Sequence, residues 1–389
     1  KWKIANDYMF GHTVKDGGNM IYKPYGNTGK MISALGMGCM RFKKEEYQNG
    51  NYESCAAIIL RARELGINYF DTAPGYCDDK SEIICGEAFR QMKHEKPFYV
   101  STKCSLRNAK NADEARKMID QSLKRLNVDK INFYNMWSIL NLDQYKEYLK
   151  KGGIYEGACK ARDEGLIDHI CFTTHMRGSD IAKVASDGVY EGVTLGYNAV
   201  NFAYRQEGVD AAHAAGLGVV TMNPLGGGII PANPDYFSFL QHGNDSHTVS
   251  ALKLIISQKA VTAAIPGYSS IEELEEDVKA VENLKEISNT DLKNLIANLS
   301  EELNALCTTC AYCDSCPEGI PIPQLLESYN YYILSKGDAG QVKSRLGMHW
   351  GVDGKLAAKC IECGQCEALC TQKLPIIERL KEIAAMFSE

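Results

Sequence analysis

The apolar residues of this chain fall into short runs that alternate with longer amphipathic stretches. Eight short runs predict strands, at residues 35–40, 67–71, 97–103, 130–136, 169–174, 192–197, 219–223 and 262–266. Apolar positions at helical spacing predict a helix after each strand, at residues 52–65, 81–92, 112–126, 145–164, 180–186, 209–215, 251–258 and 271–284. Eight strand–helix units in succession predict an α/β fold of the (β/α)8 TIM-barrel type.

Further patterns flank the predicted barrel. Residues 21–24 and 30–32, separated by Gly26-Asn27-Thr28-Gly29, predict a β-hairpin that plugs the bottom of the barrel. Residues 289–306 predict a helix leading out of it, and residues 320–334 and 376–386 predict two more helices. We therefore expect a barrel over residues 20–300 and a small helical domain over residues 301–389.

The first 19 residues are polar, contain glycine and are followed by Met20. They have no apolar segment like that of a signal peptide. We interpret residues 1–19 as an N-terminal extension or an expression remnant.

Composition narrows the functional class. The chain has 389 residues, of which 24% are charged and 45% hydrophobic, and its net charge is −6. This is typical of an enzyme that acts on a small molecule in the cytoplasm, and neither a basic block nor a membrane-length apolar run indicates nucleic acid or a membrane as partner. The 15 cysteines include eight in two tight groups near the C-terminus, which favours metal binding over a disulfide framework.

Candidate catalytic residues follow two neighbouring predicted strands. Asp71 ends one strand, the Pro74-Gly75 turn leads to Tyr76, and Lys103 ends the next strand. The carboxyl ends of barrel strands converge on one mouth, where barrel enzymes carry out their chemistry. An ammonium group beside a phenol lowers the pKa of the phenol, and a carboxylate can hold the ammonium group. The pattern predicts Tyr76 as a general acid or base, with Lys103 and Asp71 supporting it.

The ensemble of motifs resembles the aldo/keto reductases, specifically the bacterial branch with a C-terminal iron–sulfur domain. The resemblance covers about residues 20–389 and rests on short segments spread along the chain. They are Leu35-Gly36-Met37-Gly38, Phe70-Asp71-Thr72-Ala73-Pro74 with Tyr76, Lys80-Ser81-Glu82, Gly86-Glu87-Ala88, Ser101-Thr102-Lys103, Glu164-Gly165, His169-Ile170, Tyr197-Asn198, Asn223-Pro224-Leu225-Gly226-Gly227-Gly228 and Ile265-Pro266-Gly267. The resemblance implies a catalytic tetrad of Asp, Tyr, Lys and His.

One tetrad position departs from the family. Asp71, Tyr76 and Lys103 match, but Trp137 stands where the resemblance implies the His. Tryptophan offers one N–H donor and no acceptor, so Trp137 predicts a pocket for a different substrate geometry, a C=C bond or a reaction without hydride transfer. His175, just past the next strand, is an alternative source of an imidazole.

The resemblance also implies a nicotinamide dinucleotide across the barrel mouth. The matching positions are Thr173 and Thr174 for the amide, Met222, Asn223, Leu225 and Gly227 beneath the nicotinamide and pyrophosphate, and Gly267 at the start of the adenosine end. Between Pro266 and Val278 the chain has five acidic residues and no Lys, Arg or His. Carboxylates repel a 2′-phosphate, so we expect NAD rather than NADP, or a barrel that no longer binds nicotinamide.

The C-terminal cysteines form two runs that resemble a two-cluster ferredoxin, in which each [4Fe–4S] cluster takes three cysteines of one run and the last of the other. The resemblance implies that one cluster binds Cys307, Cys310, Cys313 and Cys370. It implies that the other binds Cys360, Cys363, Cys366 and Cys316. Zinc is the alternative, since paired cysteines also suit tetrahedral sites. Among the scattered cysteines, Cys77 beside Tyr76 is a candidate reactive thiol.

Three functions remain open from the sequence. The first is an iron–sulfur oxidoreductase that couples NAD(P)(H) to a carbonyl or hydroxyl substrate, with clusters that exchange electrons with a ferredoxin-like partner or brace the C-terminus. The second is a redox-neutral lyase or isomerase that uses Tyr76 and Lys103 on the same barrel. The third is a ferredoxin-linked electron-transfer protein without nicotinamide.

Overall fold

A computed structural model of the chain describes residues 20–92, 97–241, 243–285, 303, 305–309, 311–370 and 372–388. The predicted extension 1–19, most of the predicted helix 289–306, and Cys310 lie outside the described residues.

The core of the fold is a parallel barrel. Its strands are β3 (Met37–Gly38), β4 (Tyr69–Asp71), β5 (Tyr99–Cys104), β6 (Ile131–Ile139), β7 (Ile167–Thr174), β8 (Gly192–Gly196), β9 (Gly218–Met222) and β10 (Ala263–Ile265). Each strand pairs in parallel with the next in the chain. Parallel bridges from Leu35 to Ala264 and from Gly38 to Gly267 bring the first and last strands together. The predicted (β/α)8 barrel is confirmed.

The hairpin of β1 (Tyr22–Pro24) and β2 (Met31–Ser33) lies at the amino-terminal end of the barrel, as predicted. Its turn carries Tyr25, whose ring lies 4.1 Å from that of Phe133 inside the barrel. Gly192 and Gly218, the first residues of β8 and β9, face the same ring, and a Cβ atom at either would lie 2.1 or 2.2 Å from it. Glycine is required at both positions so that Tyr25 can close the bottom.

Helices surround the strands and continue into a C-terminal region. They are α1 (Lys44–Tyr47), α2 (Glu53–Glu64), α3 (Ser81–Gln91), α4 (Ala112–Leu126), α5 (Leu142–Leu149), α6 (Ile154–Asp163), α7 (Gly178–Ser186), α8 (Phe202–Ala214), α9 (His247–Ile256), α10 (Ile271–Val278), α11 (Ile322–Leu334), α12 (Ala339–Ser344), α13 (Gln365–Leu369) and α14 (Ile376–Met386). A π-helical segment, Arg345–Trp350, directly follows α12.

Three predicted helices differ from the observed ones. The predicted helix 145–164 is two helices, because Asn141 caps α5 and the chain turns at Gly152 before α6 begins. Helix α8 begins seven residues earlier than predicted, since Arg205 is buried there and interrupts the expected polar pattern. Helix α10 ends at Val278 and passes into a short 3-10 turn, so the predicted helix 271–284 is too long.

The C-terminal region has a hydrophobic cluster of its own, formed mainly by α11, α14 and the segment Arg345–Trp350. It also contacts the barrel. The Tyr331 hydroxyl donates to the carbonyl oxygen of Gly226, 3.0 Å away, and Arg177 pairs with Asp314. These barrel residues follow strands β9 and β7, so the C-terminal region packs against the carboxyl-end mouth of the barrel, where the candidate site lies.

Candidate functional site

Asp71 and Lys103 meet at the mouth, where the paired strands β4 and β5 end. Both are buried, and the Lys103 ammonium donates to the Asp71 carboxylate and to the carbonyl oxygen of Thr72, 2.7 Å away. The other Asp71 oxygen accepts from the Ser101 hydroxyl at 2.7 Å, and the amide of Asn135 donates to Ser101 at 3.0 Å. Sequence reasoning missed Ser101 and Asn135, although both lie on strands at two-residue spacing from other inward-facing positions.

Tyr76 lies over this pair, in the turn between β4 and α3. Its ring centre is 5.0 Å from the Lys103 ammonium, and its side chain is half-buried. Burial raises the pKa of the Tyr76 phenol, and the Lys103 charge lowers it by less, so the pKa lies above the ordinary value. The pKa of Lys103 is also raised, because the attraction of Asp71 and Tyr76 outweighs burial. At neutral pH the arrangement holds a protonated phenol beside a fixed cation.

Trp137 stands on β6 beside Tyr76. The two rings meet edge to face, with centres 5.6 Å apart and an angle of 87° between their planes. The peptide after it is constrained, because Ser138 has φ = 64° and its N–H donates to the Thr173 hydroxyl at 2.7 Å. Trp137 therefore forms a wall of the space around the phenol.

The residues assigned to the nicotinamide amide lie at the end of β7. Thr173 and Thr174 are buried, and both hydroxyls are used within the mouth. Thr173 accepts from the backbone of Ser138, and Thr174 donates to the carbonyl oxygen of Ile139 at 2.7 Å. These bonds join the ends of β6 and β7.

The glycine-rich loop after β9 has an unusual backbone. Asn223 has φ = 52°, and the glycines from 226 to 228 all have positive φ. Leu225 and Met222 are half-buried beside it. Positive φ values at successive glycines allow backbone N–H groups to approach a phosphate closely.

Arg41 connects this loop with the loop after β10. Its guanidinium donates to the carbonyl oxygen of Gly227 at 3.2 Å, and its side chain packs on Gly267, where a Cβ atom would lie 2.6 Å from it. Gly267 is therefore needed for this approach. Sequence reasoning missed Arg41. Its position three residues after the end of β3, at the mouth of the barrel, could have indicated it.

The acidic segment after Gly267 forms the start of α10. Ser270 caps the helix, and Glu273 accepts from the backbone N–H of Ser269 at 2.7 Å. The pKa of Glu272 is lowered by hydrogen bonds from the helix start, so this side chain is charged. Burial raises the pKa of Asp277 to about 8.

The cysteines of the C-terminal region line two cavities. The larger, of about 400 Å³, is lined by Cys313 together with a group of four, Cys316, Cys360, Cys363 and Cys366. These four are the cysteines assigned above to one cluster. The smaller cavity, of about 340 Å³, is lined by Cys307, Cys313 and Cys370, three of the four assigned to the other. The fourth, Cys310, is outside the described residues.

A single zinc ion needs three or four ligands grouped around one point. Zinc binds thiolates at about 2.3 Å, so its ligand sulfurs lie roughly 4 Å apart. Within the described part of the chain, no group of three or more His, Cys, Asp or Glu side chains is arranged to hold one metal ion.

Cys77, the candidate reactive thiol, is buried behind the Tyr76 turn. Burial raises its pKa to about 12, so the thiol stays protonated at neutral pH and is a weak nucleophile.

None of the helices in the described residues combines the length and apolar character needed to cross a membrane.

Comparisons with known proteins show the family of the chain. The profile of the aldo/keto reductase family matches residues 34–297, which leaves the cysteine-rich region outside the match. The chain is 27% identical over 289 residues to L-galactose dehydrogenase of Arabidopsis thaliana, across 67% of this chain and 88% of that protein. It is 34% identical over 130 residues to an NADH-specific methylglyoxal reductase of Escherichia coli, across 28% of this chain and 40% of that protein.

Solved structures show the same fold. An aldo-keto reductase from Bacillus halodurans in its holo form superposes with a TM-score of 0.60 at 20% identity, covering 72% of this chain and 96% of that one. Together with the barrel and the family match, these likenesses establish what kind of enzyme the chain is. It belongs to the aldo/keto reductase family and is an oxidoreductase.

Proposed function

We propose that the protein reduces a carbonyl group, or oxidises a hydroxyl group, of a small-molecule substrate with NAD(H), and that Tyr76 is its general acid and base. The observation that carries this proposal is the Asp71–Lys103 pair beneath the Tyr76 ring. In reduction, the protonated phenol gives its proton to the carbonyl oxygen as the carbon accepts a hydride. The nicotinamide, when bound, supplies or accepts that hydride.

The other side chains hold the charged groups in position and exclude water from the substrate. Lys103 stabilises the phenolate left after proton transfer, and Asp71 with Thr72 and Ser101 keeps the ammonium in place. Trp137 covers one side of the substrate and keeps water from it. A substrate with a C=C bond conjugated to a carbonyl also suits this wall, because proton transfer to oxygen activates the bond in the same way.

The loops at the mouth fit a dinucleotide. Arg41 lies between the glycine-rich loop and Gly267, so its charge can meet a pyrophosphate there. Thr173, Thr174, Met222, Asn223 and Leu225 frame the nicotinamide end. The adenosine end begins α10 with two acidic residues, Glu272 and Glu273, and the lowered pKa of Glu272 keeps that side chain charged. This disfavours a 2′-phosphate and favours NAD over NADP.

The C-terminal region is proposed to hold two [4Fe–4S] clusters. The supporting observation is that the larger cavity is lined by all four cysteines that the resemblance assigns to one cluster, and the smaller by three of the four assigned to the other, with Cys313 lining both. Such clusters accept and donate single electrons. Cys363 is exposed, which suits electron exchange with a ferredoxin-like partner protein. A cysteine-rich chain of this kind suits a reducing cytoplasm.

Anaerobic titration of the purified protein with NADH, NAD, NADPH and NADP tests the proposal. We expect NADH to bind at least about tenfold more tightly than NADPH, and iron and sulfide analysis to give about eight of each per chain. Absence of binding by every nucleotide would refute the NAD-linked reaction and favour the redox-neutral lyase or isomerase. Zinc in place of iron would refute the clusters alone.

A further inference from the structure

At the junction between the barrel and the C-terminal region lies a group of largely buried basic side chains. His175 follows β7, and Arg205 lies on α8 of the barrel. Arg345 and His349 come from the π-helical segment of the C-terminal region. The rings of His175 and His349 have centres 3.5 Å apart and are tilted by 36°, so they form a further contact between the two parts.

This group lies over the barrel mouth. A Cβ atom on Gly196, the last residue of β8, would lie 2.9 Å from His175 and 3.4 Å from His349. Gly192, four residues earlier on the same strand, faces Tyr25 inside the barrel, so Gly196 faces the same interior one layer higher. The two imidazoles therefore stand at the end of the barrel that carries Lys103 and Trp137.

The tautomer of His349 follows from its neighbours. A guanidinium can only donate, so the 2.9 Å contact between Arg345 Nη1 and His349 Nδ1 makes that nitrogen an acceptor. The neutral imidazole then carries its hydrogen on Nε2. Glu327 accepts from Arg345 through two nitrogens and from the Trp350 indole at 2.8 Å, which fixes the whole arrangement.

Three donor atoms of this group are buried and have no acceptor among the described residues: His349 Nε2, Arg205 Nε and Arg205 Nη1. The remaining Arg205 nitrogen donates to the carbonyl oxygen of His175 at 2.8 Å. Trp350 and Tyr204 pack on its guanidinium, 4.8 and 5.2 Å from the ring centres. Leaving buried donors without acceptors is costly, and most buried polar groups in proteins are paired.

The charges of the group are unbalanced. Arg205 and Arg345 are both buried cations. Glu327 attracts Arg205 but already pairs with Arg345, and within the described residues no salt bridge joins Arg205 to a carboxylate. One buried positive charge is therefore left without a counter-charge, and such a charge is strongly destabilising unless it gains a partner. An acceptor with one negative charge would satisfy both the unpaired donors and the charge.

We propose that Arg205 and His349 form a binding site for a carboxylate, so that the substrate of the proposed reaction is a carbonyl or hydroxyl compound that also bears an acid group. That the bound compound is a substrate rests on the proposed function, whereas the carboxylate site itself does not. The C-terminal region thereby contributes a hydrogen-bond donor to the barrel mouth, where Trp137 replaces the imidazole of relatives. His175 is half-buried and is the most exposed member of the group.

Calorimetric titration of the intact anaerobic protein tests the site without requiring turnover. The probes are pyruvate and D-galacturonate, with pyruvamide and D-galactose as uncharged counterparts. We expect at least one carboxylate to bind at least about tenfold more tightly than its counterpart. Equal binding within both pairs, or no carboxylate binding, would overturn the site.

Variants separate binding from domain docking. We expect Arg205→Gln to weaken the binding of the carboxylate by at least about 30-fold and His349→Phe to weaken it by about tenfold. His349→Gln keeps an amide donor, so its affinity for the carboxylate should stay within about threefold of that of the parent. Arg177→Gln is the matched control, because Arg177 is a second arginine at the same junction that already pairs with Asp314. Equal losses in Arg205→Gln and Arg177→Gln would show that only docking is affected, and would overturn the proposal.

Failure of the carboxylate site can be distinguished from failure of the proposed reaction. Tyr76→Phe should keep the preference for the carboxylate over its uncharged counterpart, because Tyr76 contacts the carbonyl group of the substrate and not its acid group. Carboxylate binding without NADH-dependent turnover would refute the proposed reaction alone, and turnover of uncharged carbonyls only would refute the carboxylate site alone.

Discussion

Lys103 and Asp71 form an ion pair that is almost completely buried, with side-chain exposures of 1% and 4%. The pair joins the ends of β5 and β4, and each partner has a further polar contact, Thr72 for the ammonium and Ser101 for the carboxylate. Buried pairs of this kind contribute little net stability, but they hold their charges in fixed positions. Here the fixed position is beneath the Tyr76 ring.

Breaking this pair should be costly. We expect Lys103→Met to lower the free energy of unfolding by roughly 3–5 kcal/mol, because the Asp71 carboxylate would remain buried without its cation. The double variant Lys103→Met, Asp71→Asn should lose less than the sum of the single variants. Urea unfolding measures both, and Lys146→Met, which breaks the exposed pair with Asp143, is the control with an expected change below about 1 kcal/mol. Additive losses would contradict a coupled pair.

Removing the phenol should abolish the chemistry and leave the protein intact. We expect Tyr76→Phe to lower kcat by at least about 100-fold, with unchanged iron content and unchanged unfolding, since the hydroxyl alone is lost. Because the pKa of Tyr76 is raised, the phenol stays protonated through neutral and moderately alkaline pH. The kcat for reduction should therefore stay flat up to about pH 9 and fall only above about pH 10, where the proton is lost. A fall centred near neutral pH would assign the proton to another group.

Restoring the family imidazole tests the role of Trp137. We expect Trp137→His to raise the turnover of simple aldehydes by at least about tenfold, because a neutral imidazole can donate to the carbonyl oxygen near Tyr76. Trp137→Phe is the matched control, since it keeps an aromatic wall and removes the donor. Equal turnover in both variants would show that wall size, rather than a donor, decides the substrate.

Removal of one cluster ligand should affect one cluster. Cys360 lines the larger cavity, so Cys360→Ala should lower the iron content from about eight to about four per chain. Cys159→Ala, a cysteine on α6 of the barrel, should keep the full amount. Loss of all iron from Cys360→Ala would show that the two cavities fold as one unit. An unchanged iron content would remove Cys360 from the ligand set.

The barrel and the catalytic pair were predictable because each strand end carries its own local signal. A polar residue after a short apolar run shows where a strand stops, and parallel strands bring their ends together, which gives Asp71, Tyr76 and Lys103. The prediction that Lys103 leaves Tyr76 with a lowered pKa was wrong in its net direction, because the pKa of Tyr76 is raised. Burial acts in the opposite direction and is larger, and burial of one ring depends on Trp137, which is distant in sequence.

The group around His349 was not predictable from local patterns. Arg205 interrupts the apolar spacing of α8, so the pattern predicts that it faces solvent. It is fully buried instead, because Trp350 and Tyr204 pack on it. His349 lies more than 170 positions from His175, and no periodicity connects them. Contacts of this kind depend on how the C-terminal region docks on the barrel, which is a tertiary property.

The adjoining imidazoles of His175 and His349 make stability depend on pH. Burial is the largest effect on both rings and lowers the pKa of His175 and of His349 well below the ordinary value, and Arg205 and Arg345 lower it further. Glu327 faces the same group but is engaged by Arg345. Both imidazoles are therefore neutral in the folded protein near neutral pH, whereas in the unfolded chain they bind protons below about pH 6.5.

The sign follows from proton counts. Below about pH 6.5 the unfolded chain binds more protons than the folded protein, so stability is full above that pH and falls as the pH decreases. We expect a loss of up to about 1.4 kcal/mol per pH unit for each histidine between pH 6.5 and 5.5. Thermal unfolding at a series of pH values measures this slope, and the variant His175→Gln, His349→Gln should have a smaller one. The control variant His247→Gln, which removes a histidine on α9, should have the same slope as the parent protein. If the double variant also had the slope of the parent, groups other than these two histidines would be responsible for the pH dependence.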